Sequence, residues 1–178
     1  AGCVARFYDS FFSNFPVWNA CANASLEELE EIMKPLWLYL HRARRLYKLG
    51  EDIRRRGGRI PGNENELRDS GFIGLYVTNA FELFILRNRK PLLDVNMSRL
   101  LKRYFKPGDF IDVRHDKEIQ ELANDIIEVR RSKELNWAIL AYAALVCKTR
   151  TPLRGACVLN KHCKYYELSQ GDVTEESE

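Results

Sequence analysis

Apolar residues recur at three- and four-residue spacing along almost the whole chain, and glycine or proline cuts the pattern into separate segments. Outside short loops there is no alternation of period two. A chain patterned in this way buries one stripe of each helix and offers no strand to pair, so the expected fold class is all-α. Helices this short, joined through glycine and proline, do not line up as a simple up-and-down bundle, and no internal repeat points to a solenoid. An orthogonal array in two lobes remains. With 178 residues, 46% of them apolar, the chain can bury a sizeable core without disulfide staples.

The segments read as follows. Val4, Phe7, Tyr8, Phe11 and Phe12 predict an amphipathic helix that stops near Pro16. Ser25 with Glu28 three residues on has capping-box spacing, which predicts a helix to about Met33 and a turn at Lys34-Pro35. From Leu36, the residues Leu38, Leu40, Ala43, Leu46, Leu49 and Ile53 predict a long helix ended by Gly57-Gly58, with Arg42, Arg44, Arg45 and Lys48 on its other side. A short helix from Asn63 to Arg68, a break at Ser70 to Gly74 and an apolar helix from Leu75 to Leu86 make a helical hairpin. Further helices are predicted at 95–105, 117–129 and 134–146.

Net charge is only +3, but the segment from His41 to Arg59 holds eight Lys or Arg against two acids, while the end of the chain from Gly171 is acidic. A basic helix face suits a polyanion, because neutralising phosphates releases counterions; a plain solvated surface is the alternative. No apolar run approaches the roughly 18 residues a membrane span needs, and no signal-peptide pattern opens the chain. The expectation is a soluble intracellular protein with no membrane partner. Of five cysteines, Cys147, Cys157 and Cys163 crowd into one segment, which in a reducing compartment points to metal more than to disulfides. Cys3 and Cys21 read as buried thiols.

Several blocks carry a resemblance. Ala24 to Leu29, Leu38-Tyr39 and Arg42 to Leu46 resemble the helices that lead to the hairpin of the helix-hairpin-helix (HhH-GPD) DNA glycosylases. The block Pro91-Leu92-Leu93-Asp94-Val95-Asn96-Met97-Ser98-Arg99-Leu100 is similar to their apolar-Val-Asp-x-Asn-x-x-Arg-Val segment, which holds the catalytic aspartate. Asn136 to Tyr166 resembles their last helix and its cluster loop, Cys-x6-Cys-x2-Cys-x5-Cys. The resemblance spans nearly the whole chain and is to endonuclease III-like members, the mismatch thymine and A/G-specific adenine glycosylases above all. It implies a hairpin-bearing lobe at residues 1–88, a cluster-loop lobe at 89–166, and a disordered acidic tail at 167–178. Double-stranded DNA would lie across the cleft between the lobes. A monomer is expected, a base-excision-repair enzyme that hydrolyses the N-glycosidic bond of a flipped mismatched or damaged base.

The resemblance also assigns residues. Asp94 falls on the catalytic aspartate, and its place before Val95-Asn96-Met97 equally suits a helix N-cap; the two roles are compatible. Tyr76 stands two places after the last hairpin glycine, where bifunctional relatives carry a Schiff-base lysine. That implies a monofunctional enzyme acting on thymine or uracil opposite guanine, with adenine opposite guanine or oxidised guanine next. A partly buried aromatic is the plainer reading of Tyr76. Gly71, Phe72, Ile73 and Gly74 fall on the DNA-holding hairpin, with Asn96 and Arg99 also implied at DNA. Of the family's Leu-Pro-Gly-Val-Gly only the last glycine is kept. Cys147, Cys157 and Cys163 take the first, third and fourth cluster places, but Arg154 takes the second, so a [4Fe-4S] cluster lacks one thiolate. The loop then has no cofactor, or a substitute ligand, or zinc completed by His162. Relatives also have a preceding helix that inserts a polar residue into DNA, so the first lobe is expected to be incomplete at its start. A catalytically silent DNA binder is the rival reading. Glu82 and Asp69 read as surface charge.

Overall fold

The computed structural model describes residues 2–69, 73–108 and 112–171. Among these residues ten α-helices and two 3-10 turns follow one another and no strand occurs, as the periodicity requires. No helix among them is long and apolar enough to cross a membrane. The chain divides into two compact units, residues 1–74 and 75–178, a boundary earlier than the one expected after Asn88. The reason lies in the helix after Gly74, whose polar and aromatic side chains bind residues that follow it.

The first unit contains α1 (Gly2–Asn14), α2 (Trp18–Asn23), α3 (Leu26–Met33), α4 (Tyr39–Arg55) and α5 (Glu64–Asp69). Phe7, Phe11 and Phe15 lie along one side of the first segment in tilted ring contacts, with centroids 5.3 and 5.2 Å apart. They pack on Leu29, Met33 and Ala43, the buried stripe that the three- and four-residue spacing foretold. α3 starts with the expected capping box: Glu28 N–H donates to Ser25 Oγ at 3.1 Å, and Ser25 N–H donates to the Glu28 carboxylate at 2.8 Å. Such a cap stabilises a helix by about 1 kcal/mol. Helix α2 escaped the sequence reading, because six residues are too few to show a period. Its placement explains Gly50 inside α4, where a Cβ would stand 3.0 Å from the Ala22 Cα. α4 begins three residues later than the apolar spacing suggested, because Leu38 has a left-handed backbone with φ 58°. Its end is as foretold: Gly57 and Gly58 both have positive φ, and Gly58 N–H reaches the Ile53 carbonyl at 2.9 Å.

The second unit contains α6 (Leu75–Phe84), α7 (Val95–Phe105), α8 (Lys117–Ile127), α9 (Ser132–Leu145), the 3-10 turns Arg154–Ala156 and Asn160–His162, and α10 (Lys164–Gly171). Leu93, Met97, Leu100, Leu101, Ile119, Ala123 and Ala143 form its buried centre. Aspartates start two of the helices. Asp94 caps α7, and Asp116 caps α8 through Ile119 N–H at 3.1 Å while accepting Lys102 Nζ at 2.6 Å. α10 was not foreseen and carries the ordered chain into the segment expected to be a tail; residues 172–178 lie outside the described residues. Glu82, expected as surface charge, is instead 3% exposed, and Asn88 Nδ2 donates to its carboxylate at 2.6 Å. A carboxylate on the inner side of an apolar helix has little else to reach, and here it fixes the turn after α6.

Candidate functional site

Asp94 stands at the start of α7 with an extended backbone. Its Oδ1 accepts the backbone N–H groups of Asn96 and Met97, each at 2.8 Å, and its Oδ2 accepts Asn96 Nδ2 at 2.8 Å. Both oxygens are therefore held, and the carboxylate faces the positive end of the α7 dipole. Cap and candidate catalytic group are one side chain. Half-buried, it keeps a solvent-facing part for a substrate or water.

The segment that presents Asp94 is fixed by two asparagines that the sequence reading passed over. Asn136 on α9 is fully buried; its Oδ1 accepts Leu92 N–H at 2.6 Å, and its Nδ2 donates to the Lys90 carbonyl at 3.1 Å and to Ser132 at 3.0 Å. Asn79 on α6 donates to the Pro91 carbonyl at 2.9 Å. An extended segment has no ladder of its own, so buried side chains must satisfy its backbone. The available signal was a lone Asn inside each of two apolar helical runs, since buried polar groups need partners.

Asn96 and Arg99 do not simply point outward. Arg99 Nη2 donates to Asn96 Oδ1 at 3.1 Å and to the Ala143 carbonyl at 2.8 Å, while Nε donates to the Cys147 carbonyl at 3.0 Å. A chain of hydrogen bonds thus runs from the Asp94 carboxylate through Asn96 and Arg99 to the end of α9. The resemblance placed both side chains at DNA; Asn96 Nδ2 and Oδ1 and Arg99 Nε and Nη2 bond within the protein itself.

Tyr76 lies in the first turn of α6 and is 42% exposed. Burial pushes its phenol above the usual tyrosine range, and the Asp94 charge adds to the effect. Tyr76 and Asp94 both belong to the second unit. Neither lines the cavity of about 450 Å³ between α7 and α8, whose walls include Leu101, Phe105, Ile119 and Leu122.

Of the hairpin residues, Gly71 and Phe72 lie outside the described residues. Ile73 is half-buried, and Gly74 is exposed with nothing within 4 Å of where a Cβ would stand, so its backbone is open to a close approach. Elsewhere in the first unit, Arg42, Arg44, Arg45 and Lys48 are all exposed, as the charge pattern implied. Just before α4, Trp37 is 83% exposed and Leu38 54%. Arg42 Nε holds this tip by donating to the Trp37 carbonyl at 2.9 Å. The left-handed conformation of Leu38 costs about 1–2 kcal/mol in a non-glycine residue. An indole in water beside a strained leucine is the feature least explained by packing.

Two residues account for the neighbours of the three clustered cysteines, Arg103 for Cys147 and Cys163 and Tyr142 for Cys157. Arg103 Nη1 lies 3.5 Å from Cys147 Sγ, Tyr142 Oη donates to Cys157 Sγ at 3.2 Å, and Cys163 Sγ donates to the Arg103 carbonyl at 3.4 Å.

Comparison with known proteins shows the family. The family described as HhH-GPD superfamily base excision DNA repair protein matches residues 2–132. A thymine-DNA glycosylase of Aeropyrum pernix is 33% identical over 167 residues, covering 92% of this chain and 75% of that protein. A thymine/uracil-DNA glycosylase of Methanothermobacter thermautotrophicus is 27% identical over 169 residues, covering 94% and 76%. The solved structure of a thermostable thymine-DNA glycosylase superposes with a TM-score of 0.84 at 26% identity, covering 94% of this chain and 77% of that one.

Proposed function

This chain belongs to the HhH-GPD superfamily of base excision DNA repair proteins and is a DNA N-glycosylase, and on that premise we propose that it releases thymine or uracil mispaired with guanine, by hydrolysis and without a covalent intermediate. What supports this reading is Asp94, a carboxylate fixed by three donors at the start of α7, together with a tyrosine in place of a lysine at position 76.

The chemistry follows from what each group can do. As the bond between the sugar C1′ and the base nitrogen breaks, its electron pair leaves with the base and positive charge grows on the sugar. Asp94 opposes that charge, and its carboxylate accepts a proton from the water whose oxygen bonds to C1′. Tyr76 has no amine to attack the sugar, so strand cleavage by a Schiff base is not expected. Its phenol O–H is a hydrogen-bond donor for a flipped base. The exposed Trp37 offers a flat apolar face to a nucleic-acid base, and the open backbone at Gly74 suits a phosphate. Unpaired bases cost least to flip, which favours a mismatch.

The test is single-turnover base release from duplexes carrying G:T, G:U or adenine opposite oxidised guanine, followed by alkali, with Asp94→Asn alongside. The expected result is alkali-dependent strand breaks at G:T and G:U, reduced about 100-fold or more by Asp94→Asn at unchanged DNA affinity. Intact strands under saturating protein would instead support a catalytically silent DNA binder; breaks only at adenine would move the substrate to the adenine class.

A further inference from the structure

The cysteine segment of the second unit is built differently from a metal site. A [4Fe-4S] cluster takes four thiolates, and Arg154 at the second place has no lone pair to offer. Among the described residues, no three His, Cys, Asp or Glu side chains come together as a set that could hold a metal ion. His162 adjoins Cys163 in sequence but does not complete such a set. The donor set fits neither a cluster nor a zinc ion.

What the segment has instead is Arg103. Its guanidinium donates to the carbonyls of Lys148 and Thr149, both at 2.7 Å, and reaches that of Cys147 at 3.4 Å. The same group lies 4.7 Å above the Tyr165 ring, and the Arg103 carbonyl accepts Cys163 Sγ. One residue of α7 therefore pins both ends of the loop, before Arg154 and after His162. Tyr142 pins the middle: its hydroxyl donates to Cys157 Sγ and accepts Val158 N–H at 2.9 Å.

We propose that the loop from Cys147 to Cys163 folds without iron or zinc, with Arg103 and Tyr142 doing the cross-linking that a metal would otherwise do. A metal stabilises such a loop by tying distant residues together and so lowering the entropy of the open chain. A guanidinium serves the same end, because its rigid fork of donors serves several carbonyls at once while its flat face stacks on a ring. The inference holds whether or not the chain releases a base, and its test needs no activity.

The experiment is metal analysis of protein made in medium rich in iron and zinc and purified without oxygen, with thermal unfolding before and after a strong chelator. The expected result is far less than one iron or zinc per chain, no visible cluster absorption even after treatment with ferrous iron and sulfide, and one unfolding midpoint with or without chelator. Stoichiometric iron or zinc whose removal lowers the midpoint would overturn the proposal. Two variants test the substitute cross-links. Arg103→Met should make Cys147 and Cys163 several-fold faster to alkylate, as read by peptide mapping. If that variant does not fold, Tyr142→Phe, which keeps the ring, should do the same for Cys157 alone. Alkylation rates equal to those of the parent protein would count against the assigned roles.

Discussion

Arg99 Nε donates to the carbonyl of Cys147 at 3.0 Å, which ties the helix that Asp94 starts to the point where the cysteine loop leaves α9. Because Arg99 also donates to Asn96, whose amide holds the Asp94 carboxylate, one guanidinium links the loop to the candidate catalytic group. Removing it takes donors from the end of α9 and frees the Asn96 amide to turn. Arg99→Leu is expected to lower stability by about 1–3 kcal/mol and to slow base release at unchanged DNA affinity. Arg99→Lys should recover little of the rate, because an ammonium is a point charge rather than a fork. Urea unfolding beside single-turnover kinetics would check both; a Lys variant with full rate would show that charge alone matters.

Asn136 offers a sharper separation of fold from site. Its side chain is fully buried and supports the backbone just before Asp94. Asn136→Leu leaves Leu92 N–H without this acceptor in a buried place, at a cost of about 1–3 kcal/mol. The change should act on base release more than on DNA affinity, since the segment it frees ends in Asp94. A drop in affinity with an intact rate at saturation would contradict the assignment.

The pair Lys102–Asp116, at 2.6 Å with side chains 15% and 8% exposed, predicts a pH effect. The hydrogen bond from Lys102 holds the Asp116 carboxyl below the usual carboxylate range. An acid whose folded pKa is depressed contributes stability that is present above its unfolded value of about 3.9 and is lost as pH falls through the folded value. Lys102→Met should cost about 2 kcal/mol near neutral pH, less than a fully dry pair, and should flatten the acid limb of the stability curve. Denaturant midpoints across acidic pH would measure it, and an unchanged slope would mean that other carboxylates dominate.

Trp37 gives a prediction in which stability stays still. At 83% exposure its indole packs on little, so Trp37→Ala should alter unfolding by less than about 0.5 kcal/mol. If the indole stacks on an opened base step, affinity for a mismatched duplex should fall by about 1–2 kcal/mol. Fluorescence anisotropy at fixed salt reads the difference, and equal affinities would remove Trp37 from the DNA interface.

Much of this was visible in the order of residues. Ser25 and Glu28 formed the cap that their spacing implied, because a capping box needs only four consecutive residues. Gly57 and Gly58 ended α4 for a similarly local reason, a backbone conformation that side chains resist. Asp94 could be singled out because a family motif and a helix cap fall on the same short stretch. The residues that hold the backbone before it could not. Asn79 and Asn136 read as neutral letters in apolar helices, and Glu82 read as surface charge, because burial is decided by what packs on a helix face rather than by the letters on it.

The sequence by itself determined the class of fold, the start and end of most helices, and the position of Asp94, since each depends on residues within a turn or two of one another. Tertiary structure decided that Asn136 grips the segment before Asp94, that Arg99 and Arg103 turn inward to carbonyls, and that Trp37 stands in solvent. The hydrogen bonds join residues far apart in the chain, and each forms only because packing brings its donor and acceptor face to face.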